Sequence, residues 1–580
     1  MRRNKFIYGM MAATALLAAS CTDFDDYNEA YTSGSPESTK TIWENISARE
    51  DLSQFAALLK RGGYDKVLSS PSFVTVWAPK NGTYDYDSLM NKVDSVTLVE
   101  RFIRNHIANY NYNATGEQKR VRLLSGKAYV LDGGNFGSLK MASDGMNIPG
   151  INGILHVLEN GMAAFQPNIY EYVIESAGDS LSSYFKKYEK PYFDESQSVV
   201  GPINEFGEQT YSDSVIVQIN ELIANHYTGS RGLLNASLND EDSLYTMIVP
   251  TDAAYKATYE KIRSYYRYPA NGNMKYKPIT VNGLGADQTV VVSSEYTSDS
   301  LARQTLAGSL IYSHSDGYNG WWTTGSTASP DVDANDTIRT SLRRKFSNGT
   351  EITTTYTSGR ELAMSNGYVR IADSLALHPW DSWAPEQEVD IFSERSEDRY
   401  VTSAGITSVA VRETAFDTSI GDYIPRYLEL SPVSDYSQPD AYFKLSGIKS
   451  TAYNVYITLL PANITKVESE ENRKQEQLTR FSAEIGYLDE KGNTAVFNFK
   501  DAEGHDYLLT DSANLGKIDT FFIGRIDFPY SYATTNASPY LRVRINRGYS
   551  STRTQYSQYF RIGGIILRPV EYDEYLKNEE

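Results

Sequence analysis

The chain has 580 residues, more than one core supports at ~100 to 200 residues per domain, so about three domains are expected. Its 41% apolar content, 12% aromatic content and 45 tyrosines exclude a disordered chain. A formal net charge of -18 excludes the basic surface that nucleic-acid affinity needs, and the single cysteine, Cys21, excludes an intramolecular disulfide.

The first twenty residues combine a basic start (Arg2, Arg3, Lys5), a short apolar run and small residues before Cys21, the pattern of an export signal too short to remain as a spanning helix. The pattern resembles a bacterial lipoprotein signal with Cys21 as the lipid-attachment residue, although Ala18 stands where leucine is commoner and Leu17 lies one place earlier. A secreted protein with an incidental cysteine is the alternative. The acidic run Thr22-Asp-Phe-Asp-Asp26 resembles the outward-export signal of lipoproteins in Bacteroides-type bacteria, which implies a lipid-anchored protein on the outer-membrane surface. Residues 21–40, rich in Asp, Ser, Thr, Gly and Pro, read as a tether. Triplets such as Asp87-Ser-Leu89, Asp94-Ser-Val96 and Asp213-Ser-Val215 resemble O-glycosylation acceptors of the same bacterial group, but Asp-Ser also starts helices and turns.

Ser47-Ala-Arg-Glu50 reads as a capping box for a helix carrying Leu52, Phe55, Leu58 and Leu59 and ended by Gly62-Gly63. Thr75-Val-Trp-Ala-Pro-Lys-Asn-Gly-Thr-Tyr-Asp85 then reads as an apolar strand stopped by Pro79 and running into a helix start with a buried Tyr84. Leu98 to Tyr110 is predicted as an amphipathic helix carrying His106, and residues 121–158 as short strands ending in the Asn152-Gly153 turn and an alternating strand with His156. The same landmarks return in order. Thr246-Met-Ile-Val-Pro-Thr-Asp-Ala-Ala-Tyr-Lys256 repeats the strand that ends in proline, here Pro250; Leu310 to His314 repeats the helical run ending in histidine; Asn366-Gly367 repeats the turn, with Arg370 in the place of His156.

This order resembles the fasciclin domain, an adhesion module. The resemblance implies two α+β domains, residues 41–165 and 168–379, with Thr75, Pro79, Asn81, His106, Asn152, Gly153 and His156 as motif positions in the first, and Pro250, His314, Asn366 and Gly367 in the second. Around the second copy's landmarks, residues 170–175 and 181–188 read as helices and Val215 to His226 as an amphipathic helix. The insertion from Tyr265 to Ser298 reads as surface decoration. Trp321-Trp322, inside a polar stretch, reads either as a ligand platform or as a pair with one indole packed under its loop. Residues 380–394 read as a linker or docking strap. Regularly spaced strands over 395–580 predict an all-β sandwich, similar to the galactose-binding-like jelly roll of carbohydrate-binding modules.

No catalytic constellation is found. The chain has no nucleophile elbow, no His-Glu-x-x-His and no P-loop, and its lone cysteine sits at the cleavage point. Asp331 to Asp336 alternates oxygen ligands but has Asp336 and Leu342 where a calcium loop needs Gly and Glu. Neither metal nor cofactor is expected, and histidines on a helix or a buried strand are more often satisfied core groups than ligands. The expected function is non-enzymatic adhesion or extracellular protein or glycan binding, with an outer-membrane uptake or assembly partner. The alternatives are glycan capture through the sandwich, a glycan-active enzyme, or a spacer.

Overall fold

The computed structural model describes residues 35–579 apart from 226–229, 244, 270–273, 277–287, 291–293, 314–337, 343–344, 347–360, 376, 396–397, 402–405, 414–423, 435, 462–476, 511–517, 534–537, 548–550 and 552–554. They fall into two compact units: one takes the described residues up to 176, 185–245 and 362–369, the other 177–184, 246–361 and 370–579. No helix among the described residues is long and apolar enough to cross a membrane.

The first copy starts with helix Ile42–Ser47, whose Ile42 and Ile46 are fully buried. Its capping box is Thr41 with Glu44: the Glu44 amide donates to Thr41 Oγ1 (3.2 Å) and the Thr41 amide to Glu44 Oε2 (2.7 Å). Burial of the Ile42/Ile46 stripe sets the helix start there, so the expected box at Ser47–Glu50 is wrong; Ser47 is the last helical residue and Glu50 opens a 3-10 turn. Helix Ser53–Arg61 buries Phe55, Leu58 and Leu59 and stops at Gly62, with Gly63 at φ 79°.

Strand Val74–Pro79 is buried along its whole length, parallel to Gly153–Leu158 and antiparallel to Ile107–Asn109. The sheet order is 107–109, 74–79, 153–158, 148–150. A parallel central pair covered on both faces is buried throughout, which is why Gly153–Leu158 does not alternate as expected. The helical run from Leu98 stops at His106, and residues 107–109, expected as helix, are an edge strand whose Ile107 and Ala108 are buried. A smaller sheet (119–122, 128–131, 135–136, 139–140) closes a second cluster around Trp77 and Phe136.

In the second copy the strand Tyr245–Pro250 is again fully buried, and Thr251 caps helix Asp252–Ser264. Helix Ser294–Ser309 leads into strand Ile311–Ser313, so Leu310 to His314 is not the expected helical run. Thr246 and Met247 pair with Tyr312 and Ile311 as Thr75 and Val76 pair with Ala108 and Ile107. The expected helix over Val215 to His226 is also wrong: Ile216–Asn220 is a strand paired with Glu189–Phe193. Ile216, Val217 and Ile219 are β-branched and stiff, and a cross-strand partner settles them as strand. A second ribbon, Val199–Ile203 with Gln209–Asp213, completes an insert the sequence reading did not foresee. Tyr265, Tyr266 and Tyr268, assigned to surface decoration, are buried.

The C-terminal region is a β-sandwich of two antiparallel sheets, in the orders 406–413, 426–432, 560–569, 452–459, 519–527 and 399–401, 440–444, 540–545, 480–488, 494–498. Their inner faces meet over a core that includes Phe443, Tyr453, Phe481, Ile485 and Ile565. It starts earlier than residue 395. Gln387–Glu388 pairs with Ile566–Leu567, Val389 and Ile391 enter the core and Trp383 is fully buried, so 380–394 is part of the packed structure and no linker. Strand Arg480–Leu488 and the terminal helix Val570–Glu579 were not foreseen.

Candidate functional site

The fasciclin-like motif positions organise backbone. Asn152 donates from Nδ2 to the Leu68 and Ser70 carbonyls (2.9 and 2.6 Å), accepts the Ile42 amide at Oδ1 (2.8 Å), and its carbonyl accepts the Val74 amide (3.1 Å). Asn366 repeats each bond: Nδ2 to the Leu238 and Asp240 carbonyls (2.8 and 3.1 Å), the Ile169 amide to Oδ1 (2.9 Å), the Tyr245 amide to its carbonyl (3.1 Å). A Cβ on Gly153 would lie 1.9 Å from the Val74 carbonyl oxygen, and one on Gly367 1.9 Å from that of Tyr245, so both corners admit only glycine. Thr75 Oγ1 donates to the Tyr110 carbonyl (2.8 Å) and accepts the Tyr112 amide (2.9 Å). Asn81 accepts the Gln54 amide (2.9 Å) and donates to the Glu50 carbonyl and Ser53 Oγ, holding the start of helix Ser53–Arg61. Pro79 and Pro250 are the last residues of their strands.

The histidines are engaged in the same way. His106 Nε2 accepts the Ala163 amide (2.9 Å), leaving the proton on Nδ1 for the Phe102 carbonyl (2.7 Å). His156 Nδ1 accepts the Asn147 amide (3.3 Å), Nε2 donates to the Tyr112 carbonyl (2.9 Å), and the ring stacks on Trp77. Burial pushes both imidazoles down to about 4, so they are neutral at ordinary pH. With both nitrogens of each ring occupied, neither is placed to ligate or catalyse. The strand register puts Leu310, not His314, at the position equivalent to His106. Arg370 pairs with Glu361 (2.7 Å). Cys21, His314, Trp321, Trp322 and Asp331 to Asp336 lie outside the described residues. Of the Asp-Ser triplets, Asp94 caps a helix turn through the Val96 and Thr97 amides and Asp213 pairs with Arg104 (2.6 Å), both structural tasks.

Two clefts remain. In the first unit a cleft of about 1180 Å³ has a mostly acidic lining in which the basic groups are engaged: Lys127 bonds Glu171 (2.6 Å) and Glu241 (2.9 Å) beside the Phe165 ring, and Arg104 holds Asp213. In the sandwich a cleft of about 830 Å³ opens where strands 480–488 and 494–498 meet the end of 519–527. Its apolar wall includes Tyr487, Phe497, Phe528 and Tyr530, and its polar groups include Arg267, Asp489, Glu490, Lys491, Arg525 and Asp527. Strand pairs Ile485–Phe497 and Tyr487–Ala495 put Tyr487 and Phe497 diagonally on one face of the hairpin, both only part-buried. The Tyr530 hydroxyl donates to the Glu490 carbonyl (2.8 Å) and fixes the third ring. Asp489 is spent on its turn, accepting the Lys491 and Asn493 amides (3.0 and 2.8 Å), and Arg525 pairs with Asp527 (3.3 Å). Sequence reading missed this wall, although Arg480 to Leu488 alternates and Asp489-Glu-Lys-Gly-Asn493 is a hairpin turn that points to it. It also passed over Asp501, Glu503 and His505, whose ligating atoms lie within 4.8 Å of one another on an exposed loop; the imidazole there bonds Asp501 (2.7 Å) and stacks on Tyr507.

No protein-family model and no curated protein matches the chain. Among solved structures it is similar to the FAS1 domain pair of the insect cell adhesion molecule Fasciclin I, at 12% identity over 58% of this chain and 99% of that one, with a TM-score of 0.19. It is similar to the CBM22-1 xylan-binding domain of Paenibacillus barcinonensis Xyn10C, at 10% identity over 32% of this chain and 92% of that one (TM-score 0.19). It is also similar to the CBM22-1-GH10 modules of the Clostridium thermocellum endo-1,4-beta-D-xylanase 10B, at 12% identity over 32% of this chain and 29% of that one (TM-score 0.20).

Proposed function

We propose that this is a non-enzymatic, lipid-anchored protein of the outer-membrane surface that binds an extracellular glycan in the sandwich cleft. The observation that carries the reading is the wall of Tyr487, Phe497 and Tyr530 beside Glu490, Lys491 and Arg525. Sugar rings present C–H faces that pack on aromatic rings and hydroxyls that take charged and carbonyl partners, and this cleft offers both within one opening. A glycosidase needs two carboxyl groups free to act on one bond, whereas Asp489 is held by its turn and Asp527 by Arg525, so capture fits the site better than cleavage. Lipid anchoring rests on the Cys21 pattern and surface exposure on the acidic run after it.

The test is a polysaccharide array probed with the protein and with its Tyr487→Ala and Phe497→Ala variants. Saturable binding to at least one polysaccharide class, weakened about tenfold by either change in protein that is still folded at the assay temperature, is the expected result. Binding to no polysaccharide, or binding indifferent to both changes, defeats the reading.

A further inference from the structure

The two ribbons of the second copy's insert, Glu189–Phe193 with Ile216–Asn220 and Val199–Ile203 with Gln209–Asp213, are fixed at one end and exposed at the other. At the fixed end Val199 is fully buried in the first copy's core, Asp213 accepts Arg104 and the Tyr64 hydroxyl, and Asn109 Nδ2 donates to the Ser196 and Ser198 carbonyls (3.3 and 3.4 Å). At the free end Phe206 is 79% exposed and Ile203 67%.

The tip is held in shape. Asn204 Oδ1 accepts the Phe206 and Glu208 amides (3.0 and 2.8 Å), its Nδ2 donates to the Glu208 carboxylate (3.0 Å), and Gly207 at φ 80° closes the turn. An apolar side chain presented on an ordered turn loses little freedom on docking, as an anchor residue requires. The surrounding charge then selects the partner. Residues 189–221 carry seven acidic side chains and one basic one, Lys190, a formal -6. That field repels anionic lipid, acidic glycan and a second copy of a chain whose own charge is -18, and it attracts a basic rim.

We infer that the insert is a docking arm for a protein whose contact surface holds an apolar socket rimmed by lysine and arginine, with Phe206 and Ile203 as the anchors. The experiment places a photo-crosslinking phenylalanine analogue at residue 206 of the full chain on intact cells, with the same analogue at Tyr436, which is 77% exposed but outside the insert. The expected outcome is one discrete protein crosslinked from 206 and absent from 436, through a peptide with lysine or arginine beside apolar residues. Its yield falls about tenfold when Glu205→Lys is added or when salt shortens the screening length several-fold. Purified wild-type protein competes for the crosslink and the Phe206→Ser, Ile203→Ser variant does not. No crosslink, a crosslink to a second copy, a lipid or a glycan, or a yield indifferent to Glu205→Lys overturns the inference. Because neither probe position lines the glycan cleft, the arm and the cleft stand or fall separately.

Discussion

Asn152 and Asn366 make the same three side-chain bonds in two copies whose surroundings differ, yet four residues further on the copies part: His156 is buried and neutral, Arg370 is charged and paired with Glu361. The difference separates two kinds of requirement. A side chain that satisfies carbonyls of one chain segment and an amide of another at once has a fixed length and one donor-acceptor pattern, so asparagine fills both corners. A position that only needs its own polar atoms satisfied accepts an imidazole between backbone groups in one place and a guanidinium against a carboxylate in the other.

The sharpest way to break this comparison is at the glycines. Gly153→Ala and Gly367→Ala each force a Cβ into a carbonyl oxygen of the neighbouring strand, and each is expected to cost about 3 kcal/mol or more in a urea-denaturation midpoint; a loss below about 1 kcal/mol at either site refutes the corner. Next come Asn152→Ala and Asn366→Ala, which leave buried carbonyls and an amide without partners. About 2 to 3 kcal/mol is expected from each, with the two losses alike, and an inequality of twofold or more means that the corners are not equivalent.

The smallest effect distinguishes the copies by pH. His106 and His156 titrate near 4 in the folded chain and near 6.5 when unfolded, so below 6.5 the unfolded state takes protons that the folded state refuses. Stability is therefore present above pH 6.5 and is lost as pH falls toward 4, by about 2 kcal/mol per histidine at pH 5. Asp381, which burial pushes up to about 6, works in the opposite direction over the same range. Imidazole nitrogen shifts that stay those of neutral rings down to pH 5 support the assignment; protonation of either ring near 6.5 in the folded protein removes it.

The repeats were legible because their signals are local. Pro79 and Pro250 end strands by lacking an amide hydrogen, Asn152-Gly153 and Asn366-Gly367 mark corners by composition, and the alternation of residues such as Tyr453 to Leu459 shows through in a sandwich with one covered face. What failed depends on distant partners. Ile216–Asn220 reads as helix or strand until Glu189–Phe193 is beside it, and Ile107–Asn109 leaves the helical run because it pairs with Val74–Val76. The acidic look of residues 380–394 hid Trp383, Val389 and Ile391, whose burial only the sandwich reveals. Of the cleft, the hairpin of Tyr487 and Phe497 was within reach of pattern reading, whereas Tyr530 joins it through a fold contact no spacing encodes.

Val199 sits in the core of the first copy although the chain reaches it only after entering the second, and Lys127 of the first copy bonds Glu171 and Glu241 of the second. The boundary near residue 165 is thus a seam in the sequence without being a seam in the folding reaction. Expression of residues 41–165 alone removes Val199 from the core and opens to water the surface around Lys127 that Glu171 and Glu241 cover, so the excised piece is expected to be molten or insoluble. A protease that cuts the exposed ribbons reaches the stability of the first copy through that one valine.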